Sequence, residues 1–100
     1  MNGLSSPASE GGTSREFQIV NQRGLHARAS AKFVQVASSY EASIEVEKDG
    51  VKVGGTSIMG LMMLAASPGS NIRVTATGPD ADDVLEALGT LIADRFGEEI

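Results

Sequence analysis

The sequence has no cysteine, a single histidine and only 4% aromatic residues. Without cysteine there can be no disulfide, thiol nucleophile or thiolate metal site, which fits a reducing compartment. One histidine, His26, rules out a multi-histidine metal centre, and no metal is expected. With so few aromatics the core must be built from Val, Ile, Leu, Met and Ala. Long hydrophobic runs are also missing: the near-apolar stretch from Ile58 to Ala66 is about half of what a membrane span of roughly 20 residues needs. No basic residue precedes Arg15 and no apolar leader follows the start, so a cytoplasmic location without membrane insertion is expected. A chain of 100 residues and 10.3 kDa is one small domain. It buries roughly 60–70% of its unfolded surface, enough for one modest core and too little for a large cofactor cavity, so no cofactor is expected.

Charge is present but unevenly placed. The formal net charge is −5, and most of the acid falls between Asp80 and Ile100. The window from Phe17 to Tyr40 holds Arg23, Arg28 and Lys32, with no carboxylate. It also holds His26, so along the chain acid is kept away from the histidine. An acidic protein without a broad basic surface is a poor nucleic-acid binder. A single phosphate or an acidic protein patch near His26 fits better.

Met1 to Ser14 is rich in Ser, Gly, Thr and Pro without hydrophobic periodicity, and is expected to be a disordered tail, leaving 15–100 as the folded domain. Phe17 and Ile19 alternate with Glu16 and Gln18, the pattern of a half-buried strand. Asn21-Gln22-Arg23-Gly24 breaks that pattern as a loop. Ala29, Phe33, Val36, Ala37 and Tyr40 recur at helical spacing, which predicts a helix over about Ala27 to Ser38. Two alternating segments, Ala42–Glu47 and Val51–Val53, flank Asp49-Gly50, a pair suited to a type I′ hairpin turn. A short apolar helix is predicted from Ser57 to about Met63, and a fourth strand over Ile72–Thr77. Val84, Leu85, Leu88, Leu91, Ile92 and Phe96 form the stripe of a last helix, with Asp80 as N-cap and Gly97 as its stop. The order β-α-β-β-α-β-α, with one wet sheet face, predicts an α+β open-faced sandwich with its helices on one side.

His26 falls at the start of the first predicted helix, where unpaired backbone N–H groups and the positive end of the helix dipole collect. A phosphoryl group on its ring would meet those donors. Arg28 adds a guanidinium fork and Ser30 a hydroxyl within the next turn. Together they make a phosphoryl acceptor site. They do not make a kinase, since no phosphate-binding G-x-x-x-x-G-K-[ST] loop and no clustered metal carboxylates occur. A histidine in this position can equally be a cap or a surface residue, and position alone leaves both readings open.

Ile58, Met59, Leu61, Met62, Met63 and Leu64 place apolar side chains around most of the short helix. Part of that surface can reach the core, while the remainder suits a docking patch, because methionine repacks easily. Ser57 stands where an N-cap is needed. Phosphorylation there would set negative charge beside the patch.

Gly24-Leu25-His26-Ala27-Arg28-Ala29-Ser30 and Thr56-Ser57-Ile58-Met59-Gly60-Leu61-Met62-Met63-Leu64, followed by Ala76-Thr77-Gly78-Pro79-Asp80, resemble the HPr family. Its members are the histidine-containing phosphocarrier proteins of the bacterial phosphoenolpyruvate-dependent phosphotransferase system. The resemblance covers about residues 16–97. It implies a four-stranded antiparallel sheet in the order 1-4-2-3, and a phosphate taken by His26 on Nδ1 from enzyme I and passed to an EIIA-type acceptor. Arg28 matches the arginine that helps hold the phosphate, and Ser57 matches a serine acted on by a dedicated kinase and phosphorylase in many members. Ala27, Ile58, Met59 and Met62 fall where the family docks its partners. A monomer is expected. Two positions depart from the pattern: Ala29 replaces a usual proline, and Thr56 stands where many members carry a basic residue.

The resulting expectation is a stoichiometric phosphoryl carrier and not an enzyme, serving either sugar uptake or a nitrogen-type regulatory branch. The alternative is an interaction module whose phosphorylation state matters without onward relay. Such a module needs neither His26 nor Arg28. A hydrolase with His26 as general base would need a partner carboxylate or nucleophile, and none lies near it in the sequence.

Overall fold

A computed structural model describes residues 12–100. The elements follow the predicted order: β1 (Gly12–Gln18), α1 (Ala27–Ala37), β2 (Ser43–Lys48), β3 (Val51–Gly54), α2 (Ile58–Met63), β4 (Asn71–Thr77), α3 (Ala81–Ala93) and a closing 3₁₀ turn (Arg95–Gly97). The strands form one sheet in the order β1-β4-β2-β3, and all three pairings are antiparallel.

Alternation in the central strands sets the two faces. Ile72, Val74 and Ala76 of β4, with Ile44 and Val46 of β2, are buried on the helix side. The intervening Arg73 and Glu45 are exposed. On α1, Ala29, Phe33 and Ala37 recur every four residues and are buried. On α3 the buried stripe is Val84, Leu85, Leu88 and Ile92. Asp49 and Gly50 both have positive φ, 52° and 84°, as the predicted hairpin turn requires. Val51 shares a face with Val53 and yet is 52% exposed. It opens β3, the edge strand, where cover from the helices runs out.

Three further differences have physical causes. Strand β1 starts at Gly12, so Gly12, Thr13 and Ser14, assigned by composition to the tail, pair with Thr77, Ala76 and Thr75. Backbone pairing is indifferent to the polarity of those side chains, and Ser14 Oγ meets Thr75 Oγ1 at 2.7 Å. The remainder of the expected tail, 1–11, lies outside the described residues. Asp80 occupies the N-cap position of α3 but does not cap it. Its Oδ2 accepts instead from the Glu41 backbone N–H at 2.7 Å, fastening the loop before β2. Finally, α3 ends at Ala93, and Phe96 reaches the core from the 3₁₀ turn beyond it.

The loop that carries His26 is pinned from behind. Leu25 N–H donates to Ala66 O at 3.0 Å, joining this loop to the chain that leaves α2. Gly24 has φ +64°, and a Cβ there would sit 2.2 Å from Ala66 O. Only glycine fits. Gly24→Ala is therefore expected to lose about 2–4 kcal/mol, from left-handed strain plus the forced separation of the two loops. Urea unfolding would measure it, and an unchanged midpoint would show that the loop is not held this way.

Candidate functional site

His26 is the N-cap residue of α1, with extended backbone (φ −74°, ψ −178°) and no capping bond from its side chain. The first turn of α1 carries no acidic residue. The other two helices begin differently. Ser57 Oγ accepts from Gly60 N–H at 2.9 Å and caps α2, while Asp82 and Asp83 occupy the first turn of α3. Thus α1 begins with backbone donors that no side chain of its own first turn satisfies.

The imidazole is fixed by a contact that linear sequence hides. Glu98, 72 positions away, places Oε2 against His26 Nε2. Both side chains are largely shielded, at 17% exposure for His26 and 15% for Glu98. The absence of carboxylate from 17–40 is therefore a property of the sequence and not of the site. Folding brings acid directly onto the histidine. A carboxylate only accepts hydrogen bonds, so a neutral ring in this geometry carries its proton on Nε2 and its lone pair on Nδ1.

Glu98 is itself held by Asn21, a fully buried residue that falls, by sequence patterning, in a plain loop. Asn21 Nδ2 donates to Glu98 Oε1 at 3.0 Å and to Gly24 O at 2.9 Å. One amide thus ties the histidine loop to the C-terminal segment. A second tie is the Gln22 N–H donating to Ile100 O at 2.6 Å. Nothing local in the sequence marks Asn21 or Glu98, since the role of each comes from the other.

The remaining candidates divide. Ala27 and Arg28 are exposed at the start of α1, beside His26. Ser30 is not available: it is fully buried, and its hydroxyl donates to Leu25 O at 3.1 Å. On α2, Leu61 is buried, whereas Ile58, Met59, Met62 and Met63 are 40%, 73%, 43% and 75% exposed. Leu64, the residue after the helix, is buried as well. The short helix is thus part core and part bare apolar surface. It contacts α1, and through Ala66 its trailing chain touches the histidine loop. Among the described residues no group of three or more His, Cys, Asp or Glu side chains could hold a metal, and no helix is long and apolar enough to cross a membrane.

Burial acts to raise the Glu98 pKa. The hydrogen bonds from His26 and Asn21, together with the charges of His26 and Arg23, outweigh it and hold the carboxyl below its ordinary 4.5. A depressed carboxylate contributes stability that is full above the unfolded value and is lost as pH falls through the folded one. The C-terminal segment should accordingly stay docked at neutral pH and loosen only in acid below 4.5. Carboxyl ¹³C NMR should find the Glu98 midpoint below that value, and Asn21→Ala should move it upward. A midpoint unmoved by Asn21→Ala would mean that Asn21 does not hold the carboxylate.

Among known proteins, the likeness is extensive. Residues 13–94 match the family model described as the PTS HPr component phosphorylation site. The phosphocarrier protein HPr of Cupriavidus necator is 46% identical over 84 residues, which cover 84% of this chain and 94% of that protein. Among solved structures, HPr-C-His from Thermoanaerobacter tengcongensis superposes with a TM-score of 0.84 at 44% identity, covering 88% of this chain and 99% of the other. An HPr dimer from the same organism matches with a TM-score of 0.69 at 46% identity, covering 82% and 94%. Fold, sequence and family model agree, and the chain belongs to the HPr family of phosphocarrier proteins of the phosphotransferase system.

Proposed function

We propose that His26 accepts a phosphoryl group from phospho-enzyme I on Nδ1 and hands it to an EIIA-type protein. The carrier is consumed and regenerated stoichiometrically. The observation that carries this reading is the setting of His26: an N-cap imidazole with Nε2 engaged by Glu98, at the head of a helix whose first turn has neither cap nor acid. A phosphoryl dianion on the opposite ring nitrogen would be favoured by the first-turn N–H groups and the positive end of the dipole of α1. Arg28, exposed two residues on, supplies the guanidinium fork.

The proposed docking face comprises Ala27 and the bare apolar side chains of Ile58, Met59 and Met62, where enzyme I and the acceptor would bind in turn. Ser57 is the proposed regulatory position. Its hydroxyl caps α2 at the rim of that face, and a phosphate there would add charge where apolar contact is needed. The folded domain, 15–100 with the start of β1, is the working unit. All the proposed groups come from one chain, so the relay needs only a monomer. The acceptor decides whether the relay serves sugar uptake or a nitrogen-type branch.

The His26–Glu98 pair also has the look of a general-base dyad, which is the observation favouring a hydrolase. A hydrolase of the serine type needs a hydroxyl within reach of the ring. The nearest in sequence, Ser30, spends its proton on Leu25 O. The carrier reading needs no such group.

Incubation with phosphoenolpyruvate, magnesium and enzyme I from a related bacterium should add one acid-labile phosphate, read by intact mass. His26→Ala should abolish uptake while retaining the fold. Normal uptake by that variant would sink the assignment. Ser57→Asp should slow transfer from enzyme I about tenfold or more through charge on the docking face. Unchanged kinetics would mean that enzyme I binds elsewhere.

A further inference from the structure

We propose that the side chain of Glu98 is a positioning residue for phosphoryl transfer: by accepting the hydrogen of His26 Nε2 it fixes the ring and keeps the lone pair on Nδ1. This rests on the carrier reading above and assigns a role to a residue outside its motifs.

Several independent features deliver Glu98 to this place. The chain leaving α3 passes through three consecutive residues with left-handed backbone, Arg95, Phe96 and Gly97, at φ 57°, 55° and 80°. Two of these are not glycine, so the bend carries backbone strain. The bend is held because Phe96 is completely buried and its carbonyl accepts from Lys32 Nζ at 2.7 Å. Emerging from the bend, Glu98 meets Asn21 with one oxygen and His26 with the other. Besides His26, the charge that acts on Glu98 is that of Arg23 in the histidine loop, while Lys32 of α1 is spent on the Phe96 carbonyl.

The chemistry follows from the arrangement. The Nδ1 lone pair forms the new N–P bond while the donor's bond to phosphorus breaks and its electron pair stays with the donor. The Nε2 proton stays where it is, shared with Glu98, so the ring becomes cationic as it is phosphorylated and the carboxylate faces the new charge. Onward transfer runs the same way in reverse: a lone pair of the acceptor forms the new bond to phosphorus while the N–P electron pair returns to Nδ1, and the ring leaves as neutral imidazole with its proton still on Nε2. One carboxylate thereby supports both uptake and release.

Asn21 provides a sharp test. In Glu98→Gln the amide oxygen is claimed by Asn21 Nδ2, which turns the –NH₂ group toward His26 Nε2 and makes that nitrogen an acceptor. The neutral ring should then carry its proton on Nδ1, the nitrogen that must attack. Long-range ¹H–¹⁵N NMR of the neutral ring should show Nε2–H in the native protein and mainly Nδ1–H in Glu98→Gln. Phosphate uptake from enzyme I should fall roughly tenfold or more, the scale on which outer-shell partners of histidine act. A changed tautomer with unchanged uptake overturns the proposal, and so does slowed uptake with an unchanged tautomer. The native protein is a second check, free of folding effects: a slowly exchanging, downfield Nε2–H resonance is expected, and its absence would overturn the inference. Because the tautomer is read without any donor protein, failure here is distinct from failure of the carrier reading, which His26→Ala decides.

Discussion

The chain of contacts from Asn21 through Glu98 to His26 is the constraint on which the geometry of the site depends. A hydrogen bond to a charged group contributes about 1.5–3 kcal/mol, and Glu98 takes part in two such bonds. Against these stands the strain of Arg95 and Phe96, about 1–2 kcal/mol for each. Full burial of the Phe96 ring contributes about 1.5–3 kcal/mol, and the Lys32 bond to its carbonyl adds to that. The core therefore offsets most of the bend without help from Glu98. The carboxylate is brought to the histidine by a segment anchored elsewhere, which is what a closely aimed polar group requires.

A second constraint acts from the other side. Leu25 is bonded to Ala66, and the close approach of Gly24 to the same carbonyl leaves the histidine loop no room to retreat. The loop is held between the chain after α2 and the C-terminal segment. On one side, Leu61 and Leu64 root the region of α2 in the core; on the other, Phe96 does the same for the tail. Both clamps are set by apolar packing, so the polar geometry at His26 inherits the rigidity of the core.

Much of this is legible in the order of the residues alone. Alternation in Ile72, Val74 and Ala76 and the stripe from Val84 to Ile92 each have one period and one buried face, so the elements and the sheet class follow. Asp49-Gly50 identifies its turn because the required positive φ excludes most other pairs. The histidine and arginine motif lies within a few residues and is therefore visible. What stays hidden is whatever depends on pairs distant in sequence. Glu98 looks like one more acid in an acidic end, and only the left-handed bend at Arg95–Gly97 gives it a partner. Ser30 has the right type and spacing to join the site, yet the helix turns it inward to Leu25 O. Asp80 has the right type to cap α3, but the Glu41 N–H competes for its oxygen and wins. In each case a local rule proposes a partner and tertiary structure supplies a different one.

On the carrier reading, the balance of charge at the site matters as much as its placement. A protein that must release a phosphoryl group cannot hold it in a deep cationic pocket. Arg28 is exposed, and an exposed ion pair contributes only about 0–1 kcal/mol in water. The first-turn amides and the dipole of α1 add a similar amount, about 0.3–1 kcal/mol for a surface site. Glu98, on the far side of the ring, stabilises the cationic imidazole and gives the phosphate oxygens nothing. Grip on the phosphoryl group in the isolated carrier is thus weak, and the stronger stabilisation must come from the partner. On the same reading, a partner docked over the bare side chains of Ile58, Met59 and Met62 would exclude water from the ring. The same arginine and the same amides then act in a medium of lower dielectric, where each counts for several times more. Transfer would be fast only in the complex, and the phosphoryl group would stay mobile between complexes.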